Sequence, residues 1–292
     1  MGLYLQMVFG RRGREFASTL ARKVGRRVRK YIAPAAPFII TPVALGAAVS
    51  AGAVAFFLNL ADDIRQQDGV WHFDHDGLKM ALALRNPRRT ALMKTASNLA
   101  RLDMMSAIGL IALLISLRFP RQRPRGILLA VALSGGGLII GGMKTRYARE
   151  RPTLIEALAT EGTFSFPSGH AFISLTFYGI LANWWVRSHS DWRERFLGIV
   201  LASQAISLIG ASRVYLGVHY PSDVLAGYAA AIPWLTACLV ASDQYEKRLA
   251  KLPPRAVGLL SAREDDSPDD LIHDEDFDDL DDLDDLDDSE DG

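Results

Sequence analysis

Cysteine is nearly missing from this chain: Cys238 is the only one in 292 residues, and it lies within an apolar run. That excludes an intramolecular disulfide framework and a cysteine-rich metal site. A cleavable signal is missing as well. Nothing in the first thirty-odd residues reads as one, because the h-region comes late and is followed by further apolar runs, so that first long run should stay in the membrane. The formal net charge is 0, yet this is a cancellation of a basic start against an acidic end and says nothing about partners. A nucleotide loop is also excluded. Gly137 and Gly142 have the required separation, but Met143 precedes Lys144, no Ser or Thr stands where a metal would need one, and the glycines lie inside an apolar run.

What the chain does contain is apolar sequence in lengths that cross a bilayer, with charge between the runs and at the ends. The runs lie at about Pro37 to Leu60, Met104 to Leu117, Ile127 to Met143, Ala171 to Val186, Phe196 to Ala211 and Val224 to Ala241. The expected fold is therefore all-α, an integral membrane six-helix bundle over residues 35–246. Leu78 to Leu102, interrupted at Pro87, reads as two short interfacial helices in the first outer loop. Small residues in the third run, Ser134 to Gly142, allow close helix approach within a chain or between chains, which leaves the oligomeric state open. Trp184 and Trp185 suit an interface, and Pro233 is an expected kink.

The ends are of opposite character. Residues 1–34 carry Arg11, Arg12, Arg14, Arg22, Lys23, Arg26, Arg27, Arg29 and Lys30 among apolar residues, a basic amphipathic segment for an anionic leaflet or a solvated tail that fixes topology. Beyond Lys247 the chain turns polar and from Glu264 onward it is dominated by aspartate, so residues 247–292 are expected to form an acidic, disordered tail. That acidic tail reads first as a solubilising segment, and second as a binder of cations or of a basic partner, the chain's own start included. Basic turns at Arg118 to Arg125 and Arg187 to Arg195 fall on the same side as both ends, which marks that side cytoplasmic. Lys79, Arg85, Arg88, Arg89, Lys94 and Arg101 in the first outer loop oppose this assignment. In either orientation, alternation puts the end of run three, the start of run four and the junction of runs five and six on one face.

Three polar stretches meet on that face: Lys144-Thr-Arg-Tyr-Ala-Arg-Glu-Arg151-Pro152, Phe166-Pro-Ser168-Gly169-His170, and Ser212-Arg213 through His219 to Asp223. Charge beside a bilayer is costly and marks function. Guanidinium groups fit phosphate oxygens and lysine adds a point charge, so Lys144, Arg151 and Arg213 are candidates to hold a tetrahedral oxyanion. Ser168 adds a hydroxyl, and the N–H groups near Gly169 begin a helix, where anions are favoured. His219 with Asp223 has the makings of a nucleophile and its orienter, and His170 of a general acid. His72, Asp74, His75 and Asp76 also cluster in sequence, but a loop setting without fixed helical spacing makes a metal site the weaker reading.

In order and spacing these stretches resemble the three-part signature of the type 2 phosphatidic acid phosphatase superfamily, in its membrane branch. The resemblance implies a metal-independent membrane phosphatase that needs no cofactor and acts on a lipid phosphate or diphosphate. It implies that His219 attacks phosphorus to form a phosphohistidine, that Asp223 orients it, and that His170 protonates the departing alcohol. Lys144, Arg151, Ser168, Gly169 and Arg213 would cradle the phosphoryl oxygens. The expected partners are the membrane and a lipid phosphate, with no nucleic acid, and the site is expected on the outer face opposite both termini. Two other readings stand beside it: a phosphotransferase on the same fold, and a catalytically silent lipid-phosphate-binding scaffold.

Overall fold

The computed structural model describes residues 42–66, 69–119 and 123–249. The basic start lies outside them, as does the acidic tail apart from its first residues. Among the described residues there are eight helices and no strand: α1 (Pro42–Gln66), α2 (Val70–Ala83), α3 (Pro87–Asn98), α4 (Leu102–Arg118), α5 (Arg123–Tyr147), α6 (Gly169–Ser188), α7 (Trp192–Tyr215) and α8 (Pro221–Leu249). Up to Tyr245 they form one compact unit; of a second unit, 246–292, only the last residues of α8 are described.

Local chemistry sets several helix ends. Asn86 accepts from Arg89 N at 2.8 Å with Pro87 at the first helical position of α3, and Asp191 accepts from Arg193 N at 2.9 Å to start α7. Arg101 pairs with Asp103 across the start of α4 at 2.6 Å. The mixed Leu78 to Leu102 region is helical as expected, but α2 begins earlier, at Val70, inside what reads as a polar loop from sequence.

Among the described residues five stretches are long and apolar enough to cross a membrane: Val43–Gln66, Pro87–Arg118, Arg123–Tyr147, Trp192–Tyr215 and Pro221–Lys247. The run of Ala171 to Val186, in α6, falls short of that hydropathy. The reason is its position. α6 packs against both α5 and α7, and Phe172, Ile173, Phe177 and Ile180 are buried in the main core. Ser174 and Thr176, buried beside them, donate to Ala171 O and Phe172 O. A helix enclosed by protein needs less apolar surface than one facing lipid. Outside the core the pattern inverts: Leu110, Ile111, Leu114 and Leu117 of α4 and Phe196, Leu197 and Leu201 of α7 are exposed, an apolar exterior suited to hydrocarbon.

One of the first-loop cations that oppose the topology assignment, Arg85, has specific partners, one of them at the end of α7. Arg85 donates to Glu156 O at 2.7 Å and to Tyr215 O at 3.1 Å, while Asn86 N donates to the Tyr215 hydroxyl at 3.1 Å. α3 thereby clamps the end of α7, where the third polar stretch begins.

Candidate active site

Each of the three polar stretches sits at a helix end. Lys144 lies in the last turn of α5, Ser168 caps α6 with Gly169 and His170 as its first residues, and Arg213 closes α7. His219 falls in the link 216–220, and Asp223 is in the first turn of α8. Gly217, at φ 74°, takes the left-handed conformation that reverses the chain after α7, and the Arg213 carbonyl then accepts from both Val218 N and His219 N. The same residue thus supplies a guanidinium and the carbonyl that fixes the His219 backbone. Ser168 N donates to Asp223 O at 3.0 Å, which ties the start of α6 to the start of α8.

The eight residues singled out by sequence converge. Arg151 Nη1 donates to Val218 O at 2.6 Å and stands 3.5 Å from His219 Nε2. Lys144 Nζ donates to Phe164 O, which also accepts from Arg151 Nη2 at 3.3 Å. His170 is within electrostatic range of Arg213, His219, Lys144 and Arg151. A Cβ placed on Gly169 would lie 3.9 Å from Lys144 Cε. The hydroxyl of Ser168 is fully buried and turned toward Ala171 N, at 3.5 Å, as the α6 cap.

The imidazole of His219 has its proton assigned by its neighbours. Arg151 is a donor only, so Nε2 must accept, and the proton is left on Nδ1 facing Asp223 Oδ2 at 3.4 Å. His219 is 1% exposed, and burial pushes its pKa down to about 4 despite the pull of Asp223; Arg151 and Arg213 push the same way. A neutral ring with a free Nε2 is the nucleophilic form.

Several residues absent from the sequence reading are part of this site. Asp223 Oδ2 also accepts from Tyr220 N at 2.9 Å and from Ser165 Oγ, while Oδ1 accepts from Arg149 Nη1 at 2.6 Å. Glu161 bridges two of the phosphate candidates: Oε1 accepts from Arg213 Nη2, and Oε2 is 3.8 Å from Arg151 Nη2. Arg213 Nη1 reaches Ser97 Oγ on α3. Two buried nitrogens, Arg213 Nε and His170 Nε2, have no hydrogen-bond partner. Arg149 is visible in sequence as an extra guanidinium inside the first stretch, and Glu161 as a carboxylate among cations. Ser97 carries no sequence signal, because it comes from another part of the chain.

The His72 to Asp76 group does not converge. It lies on α2, where Asp74 is buried and bound to Arg149 and Ser222, while His72 and His75 pack against the Trp71 ring. Among the described residues no three His, Cys, Asp or Glu side chains are placed to hold a metal ion.

Comparison with known proteins gives this geometry relatives. Residues 125–247, which hold all three polar stretches, match the model of the PAP2 superfamily. The chain is 29% identical over 176 residues to the phosphatidylglycerophosphatase B of Bacillus subtilis (strain 168), covering 60% of this chain and 85% of that protein. It is 31% identical over 158 residues to a putative undecaprenyl-diphosphatase of Escherichia coli (strain K12), covering 52% of this chain and 74% of that one. A solved structure, described as the first transmembrane PAP2 type phosphatidylglycerolphosphate phosphatase from Bacillus subtilis, superposes with a TM-score of 0.61 at 25% identity, over 67% of this chain and 96% of that chain. With a helical membrane fold, the three stretches gathered on one face and relatives that are lipid phosphatases, this chain belongs to the PAP2 superfamily.

Proposed function

We propose that this protein hydrolyses a lipid phosphate or diphosphate through a phosphohistidine on His219, without a metal ion. The observation that carries this reading is the forced tautomer of His219, with Nδ1–H on Asp223 and Nε2 beside the Arg151 guanidinium. Nε2 attacks phosphorus, the P–O bond to the lipid breaks, and His170 gives its proton to the leaving oxygen. Water then attacks the phosphohistidine with His170 taking its proton, and inorganic phosphate departs from a neutral His219. Lys144, Arg151 and Arg213 hold the phosphoryl oxygens, with Gly169 N–H at the start of α6. Buried donors left unpaired cost roughly 1–3 kcal/mol each. Arg213 Nε and His170 Nε2 are two such nitrogens, and a phosphate and its ester oxygen are suitable partners for them.

The hydrocarbon tail has a place beside this site. A cavity of about 510 Å³ is lined by Phe57, Leu58, Ile139, Met143 and Pro233, with Arg146 and Tyr147 at the end of α5 that carries Lys144. Tyr147 packs edge-on against Phe166, two residues before Ser168. A headgroup entering sideways would meet the cations while its chain stays on apolar surface. The basic turns support a site on the outer face, and this reading takes α6 as the sixth crossing.

His219→Ala should abolish phosphate release from the folded protein; activity near wild type in that variant would remove the nucleophile. His170→Ala should slow substrates with poor leaving groups most, and an equal loss across leaving-group pKa would rule out its role as the acid.

A further inference from the structure

Among the described residues two aspartates are buried, Asp223 and Asp74, and only Asp223 belongs to the three stretches. Asp74 comes from α2, outside the segment that matches the family model. Its carboxylate accepts from Arg149 Nη2 at 2.7 Å, Ser222 N at 2.9 Å and Ser222 Oγ at 2.7 Å. The other end of the same guanidinium donates to Asp223 Oδ1 at 2.6 Å and to Ser222 Oγ at 2.8 Å. Arg149 lies over the Tyr220 ring, 4.0 Å from its centroid. One planar cation is thus held between two buried carboxylates, with an aromatic ring against its face.

We propose that Asp74 and Arg149 are positioning residues for the phosphoryl transfer: Asp74 anchors Arg149, and Arg149 holds Asp223 in the one orientation that keeps the His219 proton on Nδ1. The two oxygens of Asp223 have divided tasks. Oδ1 is committed to Arg149, and Oδ2 faces His219 Nδ1 while accepting from Tyr220 N and Ser165 Oγ. Without Arg149 Oδ1 loses its anchor and the carboxylate is held through Oδ2 alone, by Tyr220 N and Ser165 Oγ, so a rotation that moves Oδ2 away from the imidazole is opposed by fewer contacts. Burial disfavours charge on both Asp74 and Arg149. Arg149 is the counter-charge for Asp74, and the two aspartates together outweigh the penalty on Arg149.

The delivery of Asp74 is built into the packing of α2 on α8. A Cβ on Gly77 would stand 2.4 Å from Pro221 Cγ, so only glycine allows the two helices this close. Leu78 next to it is fully buried with Ile155, against Tyr220. Ser222, the residue after Pro221, supplies two of the donors to Asp74. The loop between the first two spans therefore contributes to the reaction without touching the phosphate.

This inference rests on His219 as the nucleophile, and its test separates the two. The full-length protein in detergent is assayed for phosphate release as wild type, Asp74→Asn, Arg149→Gln, the double variant, and Asp76→Asn as an exposed control on the same helix. In Asp74→Asn the carboxamide would turn an N–H toward Arg149 and release it. The expected kcat falls about 30-fold for Asp74→Asn and about 100-fold for Arg149→Gln, the order of loss for a misplaced reacting group. KM should stay within about twofold, and the double variant should be no slower than Arg149→Gln alone. A kcat for Asp74→Asn within twofold of wild type, or losses that multiply in the double variant, would overturn the proposal. Should Asp74→Asn not fold, folded Arg149→Ala with added methylguanidinium makes the same test: recovery of about tenfold in kcat supports it, and no recovery overturns it. If wild type releases phosphate and His219→Ala does too, the reading beneath the proposal fails, and the proposal with it.

Discussion

Asp223 carries four contacts on two oxygens, and of these only the i, i+4 contact with His219 is legible in sequence. His219 and Asp223 are close because a helix start places them so, whereas Arg149, Ser165 and Asp74 arrive from elsewhere in the chain. Two predictions belong at this scale. His219 must be neutral to attack, and its pKa is pushed down to about 4 from 6.5 by burial. The acid limb of kcat/KM should therefore lie well below pH 6.5, with activity lost as the pH falls toward about 4. The stability sign agrees: below 6.5 the unfolded chain takes up the proton first, so the contribution of this depressed group is present above 6.5 and lost as the pH falls through about 4. A limb at 6.5 or above would mean that His219 is not desolvated in the working enzyme. The second prediction concerns Glu161, which holds donors of Arg213 and Arg151 that the phosphate reading needs. Glu161→Gln should tighten inhibition by inorganic phosphate about five- to tenfold, roughly 1 kcal/mol, measured as a competitive inhibition constant. Unchanged inhibition would show that the bridge opens without cost.

Among the elements, runs long enough to cross a bilayer are legible in sequence because lipid imposes one rule, an apolar exterior, on every helix that faces it. α6 is the instructive case. Its apolar run is visible, but the hydroxyls of Ser174 and Thr176, which neighbouring helices cover, lower its hydropathy, as do the asparagine and tryptophans at its less buried far end. The start of α2 reads late from sequence, at Leu78 instead of Val70, because a helix whose buried face includes Asp74 and Gly77 lacks an apolar stripe in its first turns. α5 makes the element-scale prediction. It carries Lys144 at its end and, half a turn earlier, Gly142 on the apolar cavity, where an added Cβ would meet nothing within 4 Å. Gly142→Phe should fill the cavity without disturbing the helix. KM for a long-chain lipid phosphate should rise about tenfold, while a short water-soluble phosphate ester is hydrolysed as before. An equal change for both substrates would place the tail elsewhere.

At the largest scale, the plan is three polar stretches at helix ends supplying one cluster of cations and imidazoles, backed by a helix pair, α2 and α3, that braces it from between α1 and α4. The face on which the three ends meet follows from alternation of the runs, and the structure brings the same residues together. The bracing is not legible in sequence. Arg85 and Arg101 count against the topology as bare charges, but one spans to Tyr215 and the other pairs with Asp103. The central claim is that the cluster transfers phosphate through His219 without a metal. Rapid quenching of the purified protein with a lipid phosphate radiolabelled at phosphorus, with chelator present throughout, tests it most directly. The prediction is label on His219, in an acid-labile, base-stable bond that forms and decays fast enough to account for phosphate release and is lost in His219→Ala. Phosphate release without label on His219, or release that appears only when Mg²⁺ is restored, would contradict it.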